Sequence, residues 1–245
     1  MSLRVTAAVA ARVLRQLRRD HRTLAMLLLL PCLLVVLLWW MFDEVDPGAF
    51  DRIGPALLAI FPFTVMFLVT SVTTLRERTG GTLERLLAMP TRRLDLLAGY
   101  AVAFGLVGVG QSLITVGVSA RLLGLEIAGP WWLLVLVAVV DALLGTALGL
   151  FVSAFARTEF QAVQFMPAVV IPQLLLCGLF VPRAGLPPVL EAVSGLLPLS
   201  YAVDAMSTLS TSAGTAQAGR DLAVVVAFAA AAVVLGAVTL RRRTA

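Results

Sequence analysis

The chain has 245 residues, 60% of them hydrophobic and 13% charged, with a mean hydropathy of +0.98 and a net charge of +5. A soluble domain of this length needs far more polar surface, so the composition is that of an integral membrane protein. All 19 basic residues are Arg, which excludes a P-loop in this chain, because GxxxxGK[ST] needs Lys, and excludes Schiff-base chemistry, which needs an amine.

The N-terminal residues form a basic amphipathic helix. At 100° per residue, Arg4, Arg12, Arg15, Arg18, Arg19 and Arg22 fall within a sector of about 120°, opposite Val9, Val13 and Leu17. Such a helix lies along the cytoplasmic leaflet with its arginines toward lipid phosphates. It serves as a topology anchor, or also as a contact for a partner subunit; the basic face alone does not separate the two.

Six apolar runs are long enough to cross a bilayer: Leu24–Phe42, Pro55–Leu75, Leu96–Ala120, Trp131–Phe155, Ala162–Pro182 and Leu222–Leu240. The first lacks a small-residue cleavage site and follows a long basic segment, so it reads as a span and not as a signal peptide. Trp39–Trp40 and Trp131–Trp132 mark interfaces.

Between spans two and three lies a polar island, TLRERTGGTLERLLAMPTRRLDLL from Thr74. It is much longer than a turn requires. Gly80–Gly81 breaks the preceding helix, Thr82 can cap a new one and Pro90 ends it, giving a short helix over Thr82–Met89. Leu83, Leu86 and Leu87 beside Glu84 and Arg85 suit a groove on a soluble protein. The plainer alternative is a membrane-surface turn with ordinary capping.

Asp141 is the one carboxylate deep in a span, where a charge costs about 3 kcal/mol, so it must face protein or a cavity. Spans three and four run in opposite directions, which puts Gln111 and Asp141 at similar depth. Either Asp141 hydrogen-bonds Gln111, Ser112 or Thr115 as a polar clasp between spans, or it is a protonatable coupling site. Gly145 and Gly149, and Gly105, Gly108 and Gly110, permit close helix approach. Pro62, Pro167 and Pro172 imply kinks. Phe61, Phe63 and Phe67 of span two, with Gln164, Gln173 and Phe180 of span five, make a mixed aromatic and polar lining for a translocation path.

After span five, Leu186, Val189, Leu190, Val193, Leu196 and Leu197 follow helical spacing, and Pro198 closes that helix. Leu199–Leu209 offers a second short helix containing Tyr201 and Asp204. The segment 183–220 is read as external, with two amphipathic helices that dip back into the membrane and a small-residue tail.

Fifteen of the nineteen arginines lie before span one, between spans two and three, between four and five, or after span six. By the positive-inside rule both termini are cytoplasmic, and an even span count agrees. Cys32 and Cys177 sit singly in apolar runs and His21 is the only histidine, so no metal cluster can be assembled. The placement of the charge also argues against nucleic acid as a partner.

Three stretches in this order, RRDHRTL at Arg18–Leu24, RERTGGTLERLLAMPTRRLDLLAGY at Arg76–Tyr100 and LCGLFVPRAGLPPVLEAVSGLLPLSYAVDAM at Leu176–Met206, resemble the permease subunit of type-2 ABC exporters, the family of daunorubicin-resistance-type and polysaccharide exporters. The resemblance covers nearly the whole chain. It implies an all-α membrane protein of one domain over 1–245: six transmembrane helices, an N-terminal interfacial helix at 1–22, a cytoplasmic coupling helix and external re-entrant helices. It further implies a homodimer resting on two copies of a separate ATP-binding subunit, which holds the ATP and Mg. Gly81, Thr82, Leu83, Glu84, Arg85 and Leu86 would then carry the contact to that ATPase. This chain would hold no cofactor and no catalytic residue, and would move a drug, secondary metabolite or lipid-like compound outward across a bacterial cell membrane, with antibiotic resistance as one outcome. Two other readings stand beside it. A proton-coupled secondary exporter needs an intramembrane relay and inverted repeats, of which the sequence offers only Asp141. A non-transporting scaffold explains the polar island but not the re-entrant helices or kinked spans.

Overall fold

A computed structural model gives the fold. It describes residues 2–43, 45–46, 48–80 and 93–239, apart from the side chains of Arg78, Arg93, Leu94, Leu97 and Ala237. Among the described residues there is no strand, and nine helices follow in order: α1 Leu3–Arg19, α2 His21–Asp43, α3 Ala49–Thr79, α4 Arg93–Arg121, α5 Trp131–Ser153, α6 Glu159–Leu176, α7 Pro188–Ser194, α8 Pro198–Thr211 and α9 Ala216–Thr239. A 3-10 turn at Arg183–Gly185 precedes α7.

Six of these helices are long and apolar enough to cross a membrane: α2, α3, α4, α5, α6 and α9. Their apolar windows are 61% buried in α3, 50% in α4 and 67% in α5, but only 22%, 17% and 22% in α2, α6 and α9. The first three therefore form the centre of the bundle, and the last three lie around it.

Small residues set how closely the central helices approach. α3 and α5 run parallel, and a Cβ at Gly145 or Gly149 would fall 2.3 or 2.5 Å from the carbonyl oxygens of Phe63 and Phe67. Only glycine lets the two backbones touch there. α4 and α5 run antiparallel: the Ser112 hydroxyl donates to the Ala138 carbonyl at 3.1 Å, and Gly108 lies against Ala142. Tightly filled apolar contact continues around Phe63, Phe67, Leu134, Val137, Leu199 and Val203.

α1 packs the face Thr6, Val9, Ala10, Val13 and Leu17 inward, chiefly on α4, where a Cβ at Gly99 would strike Val9. The helix then stops, and Asp20 caps α2, accepting from the Thr23 amide at 3.1 Å and from the Thr23 hydroxyl at 2.6 Å. Those bonds, the hydroxyl's foremost, hold the exposed Asp20 carboxyl below its ordinary range.

Two details differ from the sequence expectation. Span five was expected to reach Pro182, but α6 ends at Leu176, because Gly178 takes φ +98°, a left-handed conformation no helix can continue through. The amphipathic pattern over 186–197 yields only the seven residues of α7, which starts at Pro188 and leaves Val189 and Leu196 exposed. α7 and α8 are bent 92° to each other.

Candidate functional site

The expected contact residues Gly81, Thr82, Leu83, Glu84, Arg85 and Leu86, and the helix Thr82–Met89, lie outside the described residues. Both flanks of that segment are described, and α1 holds each of them. On the α3 flank, Glu77 accepts from Arg12 Nη2 at 3.3 Å and from the Tyr100 hydroxyl of α4. On the α4 flank, Asp95 accepts from the Ser2 amide at 3.0 Å, and its carbonyl accepts from the Thr6 hydroxyl at 3.4 Å. Asp95 and Tyr100 are buried and Glu77 nearly so, so these are anchors in low dielectric and not surface pairs. A further ion pair, Arg76 to Glu159 at 2.8 Å, ties α3 to the start of α6; both partners are more than half exposed, which leaves it weak.

The arginines of α1 therefore do not act alike. Arg4, Arg15, Arg18 and Arg19 are exposed, as a lipid-facing sector requires, whereas Arg12 turns into the bundle toward Glu77. Wheel geometry missed this, because it places residues by angle and cannot see that an acid on a helix 65 residues away waits beside one of them. The signal available was Glu77 itself, an acid between Arg76 and Arg78 at the end of a span.

The structure does not gather the expected path residues onto one surface. Phe63 and Phe67 are fully buried and stacked, ring centroids 6.5 Å apart, inside the α3–α5 contact. Phe61 is half-buried against the core. Gln164 and Phe180 are exposed on α6 and just after it. Gln173 is buried and employed structurally: its amide donates to the Val169 carbonyl at 3.1 Å and accepts from the Leu199 amide at 3.3 Å, which fastens the first turn of α8 to α6.

Gln111 and Asp141 are both fully buried and at similar levels, but no hydrogen bond joins them. Ser112 bonds to Ala138, and Thr115 to the Gln111 carbonyl at 2.9 Å. Both Asp141 oxygens and both polar atoms of the Gln111 amide are left without a partner. The clasp fails for a geometric reason. Ala138 and Ala142 occupy the line of α5 that faces α4, and Asp141 lies roughly 60–100° round the helix from them.

At the opposite end, Arg183 makes three contacts to two helices. It pairs with Asp204 of α8, donates to the Ser194 hydroxyl of α7 at 3.0 Å, and lies 5.1 Å from the centre of the Tyr201 ring. Tyr201 in turn donates to the Gly195 carbonyl at 2.8 Å. This knot holds the bent pair α7–α8 to the end of α6. Sequence reading named Asp204 without its partner, since the pairing crosses a turn that only the fold closes. Among the described residues, no group of three or more His, Cys, Asp or Glu is placed to hold a metal ion.

The family described as ABC-2 type transporter matches residues 4–209. The protein named "Probable multidrug ABC transporter permease YbhS" of Escherichia coli is 27% identical over 167 residues, covering 67% of this chain and 44% of that protein. "Inner membrane transport permease YhhJ" of Escherichia coli is 26% identical, covering 65% and 42%. "Linearmycin resistance permease protein LnrN" of Bacillus subtilis is 26% identical, covering 60% and 39%. The chain spans less than half the length of these curated relatives.

Proposed function

Because the chain belongs to the ABC-2 type transporter family, we propose that it is the permease subunit of an ATP-binding-cassette exporter. It moves a hydrophobic or amphipathic compound outward, powered by ATP hydrolysis in a separate nucleotide-binding subunit, and works as a homodimer on two copies of that subunit. Both termini and the segment 81–92 face the cytoplasm. The names of the relatives, two of which carry multidrug or resistance, support a drug-like or antibiotic-like cargo.

One observation carries this reading beyond family membership: α1 grips both flanks of the segment 81–92, at Glu77 and at Asp95. A surface turn has no need of such a frame. A segment that takes force from a motor does, because a push on a loop with free flanks is lost in the loop. In this reading, ATP-driven closure of the partner displaces 81–92, and the rigid flanks pass the displacement into α3, α4 and α1. Coupling of this kind requires the two states of the partner to bind the segment differently. Glu84 and Arg85 are the side chains for that contact.

The test is purification of the chain from its native membrane in mild detergent, with every co-purifying protein identified. A stoichiometric soluble partner carrying a P-loop is the expected result. A clean preparation free of any ATPase would overturn the reading and favour a secondary exporter.

A further inference from the structure

Asp141 plays no part in the reading above, yet its setting is unusual. It is fully buried and both carboxylate oxygens lack a hydrogen-bond partner. Buried polar groups in folded proteins are nearly always satisfied, so an orphaned carboxyl asks for a ligand, a proton or water.

The helix register shows the level at which it lies. Leu134, Val137 and Asp141 follow i, i+3, i+7 spacing and make one stripe on α5. At the top of this stripe, the Gly129 amide donates to the Leu209 carbonyl near the end of α8 at 2.8 Å, and Gly129 lies against the Leu209 side chain. Descending from there, α5 reaches Asp141 ten residues after Trp131, about 15 Å down at 1.5 Å per residue. α8 runs the other way, and from Leu209 back to Leu199 is again ten residues, about 15 Å. The N-terminus of α8 therefore stops at the level of Asp141. Leu199, in the first turn of α8, is fastened to Gln173, one turn before Cys177. In that first turn, the Ser200 hydroxyl is also fully buried and also has no partner. Two orphaned polar side chains thus lie at one level of the bundle, near the N-terminus of α8.

We propose that Asp141, with Ser200 and the first turn of α8, forms a buried proton-binding site, in which Asp141 carries its proton while α8 is seated and loses it to water when α8 lifts. Among the described residues, no cation pairs with the carboxyl. α3 has no titratable side chain between Arg52 and Arg76, and α4 none between Tyr100 and Arg121. α6 ends beside Cys177, α8 brings Tyr201 and Asp204, and α9 brings Arg220 and Asp221 near its start. Arg183 is already committed to Asp204, Ser194 and Tyr201. A helix N-terminus favours an anion, but desolvating an ion at this depth costs more than that terminus returns. The neutral acid has one O–H to donate and suits the Ser200 oxygen through a bridging water. When α8 moves away, the O–H bond breaks, external water takes the proton, and the carboxylate is left hydrated. The bent pair then has a second lock beneath the Arg183 knot, one that opens with proton release.

The site is tested on the purified chain in phosphatidylethanolamine–phosphatidylglycerol vesicles by infrared spectroscopy, with and without carbon-13 aspartate. The expected result at neutral pH is a protonated-carboxyl band that shifts in heavy water and is lost in Asp141→Asn. A carboxylate band lost in that variant, with no acid band in the parent, would overturn the proposal. Should Asp141→Asn fail to fold, Asp141→Glu takes its place: with carbon-13 aspartate the acid band of the parent shifts, whereas a glutamate at 141 leaves no labelled acid band. A labelled acid band that persists in this variant would overturn the assignment. Gating by α8 is read from the exchange rate of that band in heavy water. Arg183→Gln, which undoes the knot, is expected to speed exchange by about tenfold, the factor that 1.4 kcal/mol of local stability gives. Equal rates would show that α8 does not guard the site. None of these readouts depends on an ATPase partner, so this proposal can fail while the exporter reading stands, and the converse.

Discussion

Gly145→Ala is the sharpest test of how α3 and α5 are assembled. The new methyl would lie 2.3 Å from the Phe63 carbonyl oxygen and 3.0 Å from its carbonyl carbon and Cα, whereas ordinary contact begins near 3.4 Å. The obstacle is backbone, so no side-chain rotation relieves it, and the helices must part by 3.4 − 2.3 Å, about 1 Å. Parting them loosens the contact that also holds Phe67 against Gly149. Overpacking of this kind costs about 1–3 kcal/mol, roughly 5- to 150-fold in the folding equilibrium. Gly110→Ala is the control: a Cβ there meets nothing within 4 Å, and replacing a helical glycine with alanine gains up to ~1 kcal/mol. Unfolding in mixed micelles titrated with SDS, followed by circular dichroism, gives both values. Gly145→Ala should unfold at clearly lower SDS than the parent, and Gly110→Ala at equal or higher. Equal midpoints for the two variants would refute the close backbone contact.

Further outcomes follow from the other contacts. Tyr100→Phe removes a hydrogen bond to a charged, nearly buried Glu77, and should cost about 1.5–3 kcal/mol in the same titration. Arg12→Glu should loosen α1, seen as faster amide exchange over residues 3–19, and Arg12→Glu with Glu77→Arg should restore much of the protection. Asp204→Asn weakens the Arg183 knot, so Cys177, fully buried in the parent, should react faster with a maleimide in a Cys32→Ser background. The Asp20 carboxyl is depressed chiefly by the Thr23 hydroxyl. Its cap therefore contributes stability above the unfolded pKa and loses it as pH falls through the lower folded value. In Thr23→Val the carbon-13 titration midpoint of Asp20 should move up toward the ordinary carboxylate range.

Much of this architecture is legible in the sequence, for reasons particular residues make plain. The spans are visible because a bilayer imposes about 20 apolar residues on any helix that crosses it, and α2, α5 and α9 are little more than such runs. The end of α6 is not, because apolarity reports depth in the membrane and not backbone conformation: the run continues through Phe180 and Val181 after Gly178 has turned the chain. Periodicity likewise overstates α7, since Leu186 precedes Pro187 and Pro188, where the helix can only begin. The depth of Asp141 relative to Gln111 follows from counting residues, but the direction it faces does not. That direction is fixed by Ala138, Ala142, Gly145 and Gly149, which take the sides of α5 facing α4 and α3. The long-range anchors, Arg12 to Glu77, Ser2 to Asp95 and Arg183 to Asp204, each join residues on different helices, and no local pattern announces them.

The central claim is that the segment 81–92 hands the motion of a separate ATPase to the bundle. The most direct measurement places a photo-crosslinking amino acid at Leu83 or Leu86 in cells, with Phe155 as a comparison position, and identifies the adducts. The account predicts a single protein adduct at Leu83 and Leu86, with a soluble P-loop ATPase, strengthened or weakened by vanadate trapping of ATP, and none of it at Phe155. Adducts confined to lipid, or the same at all three positions, would contradict it.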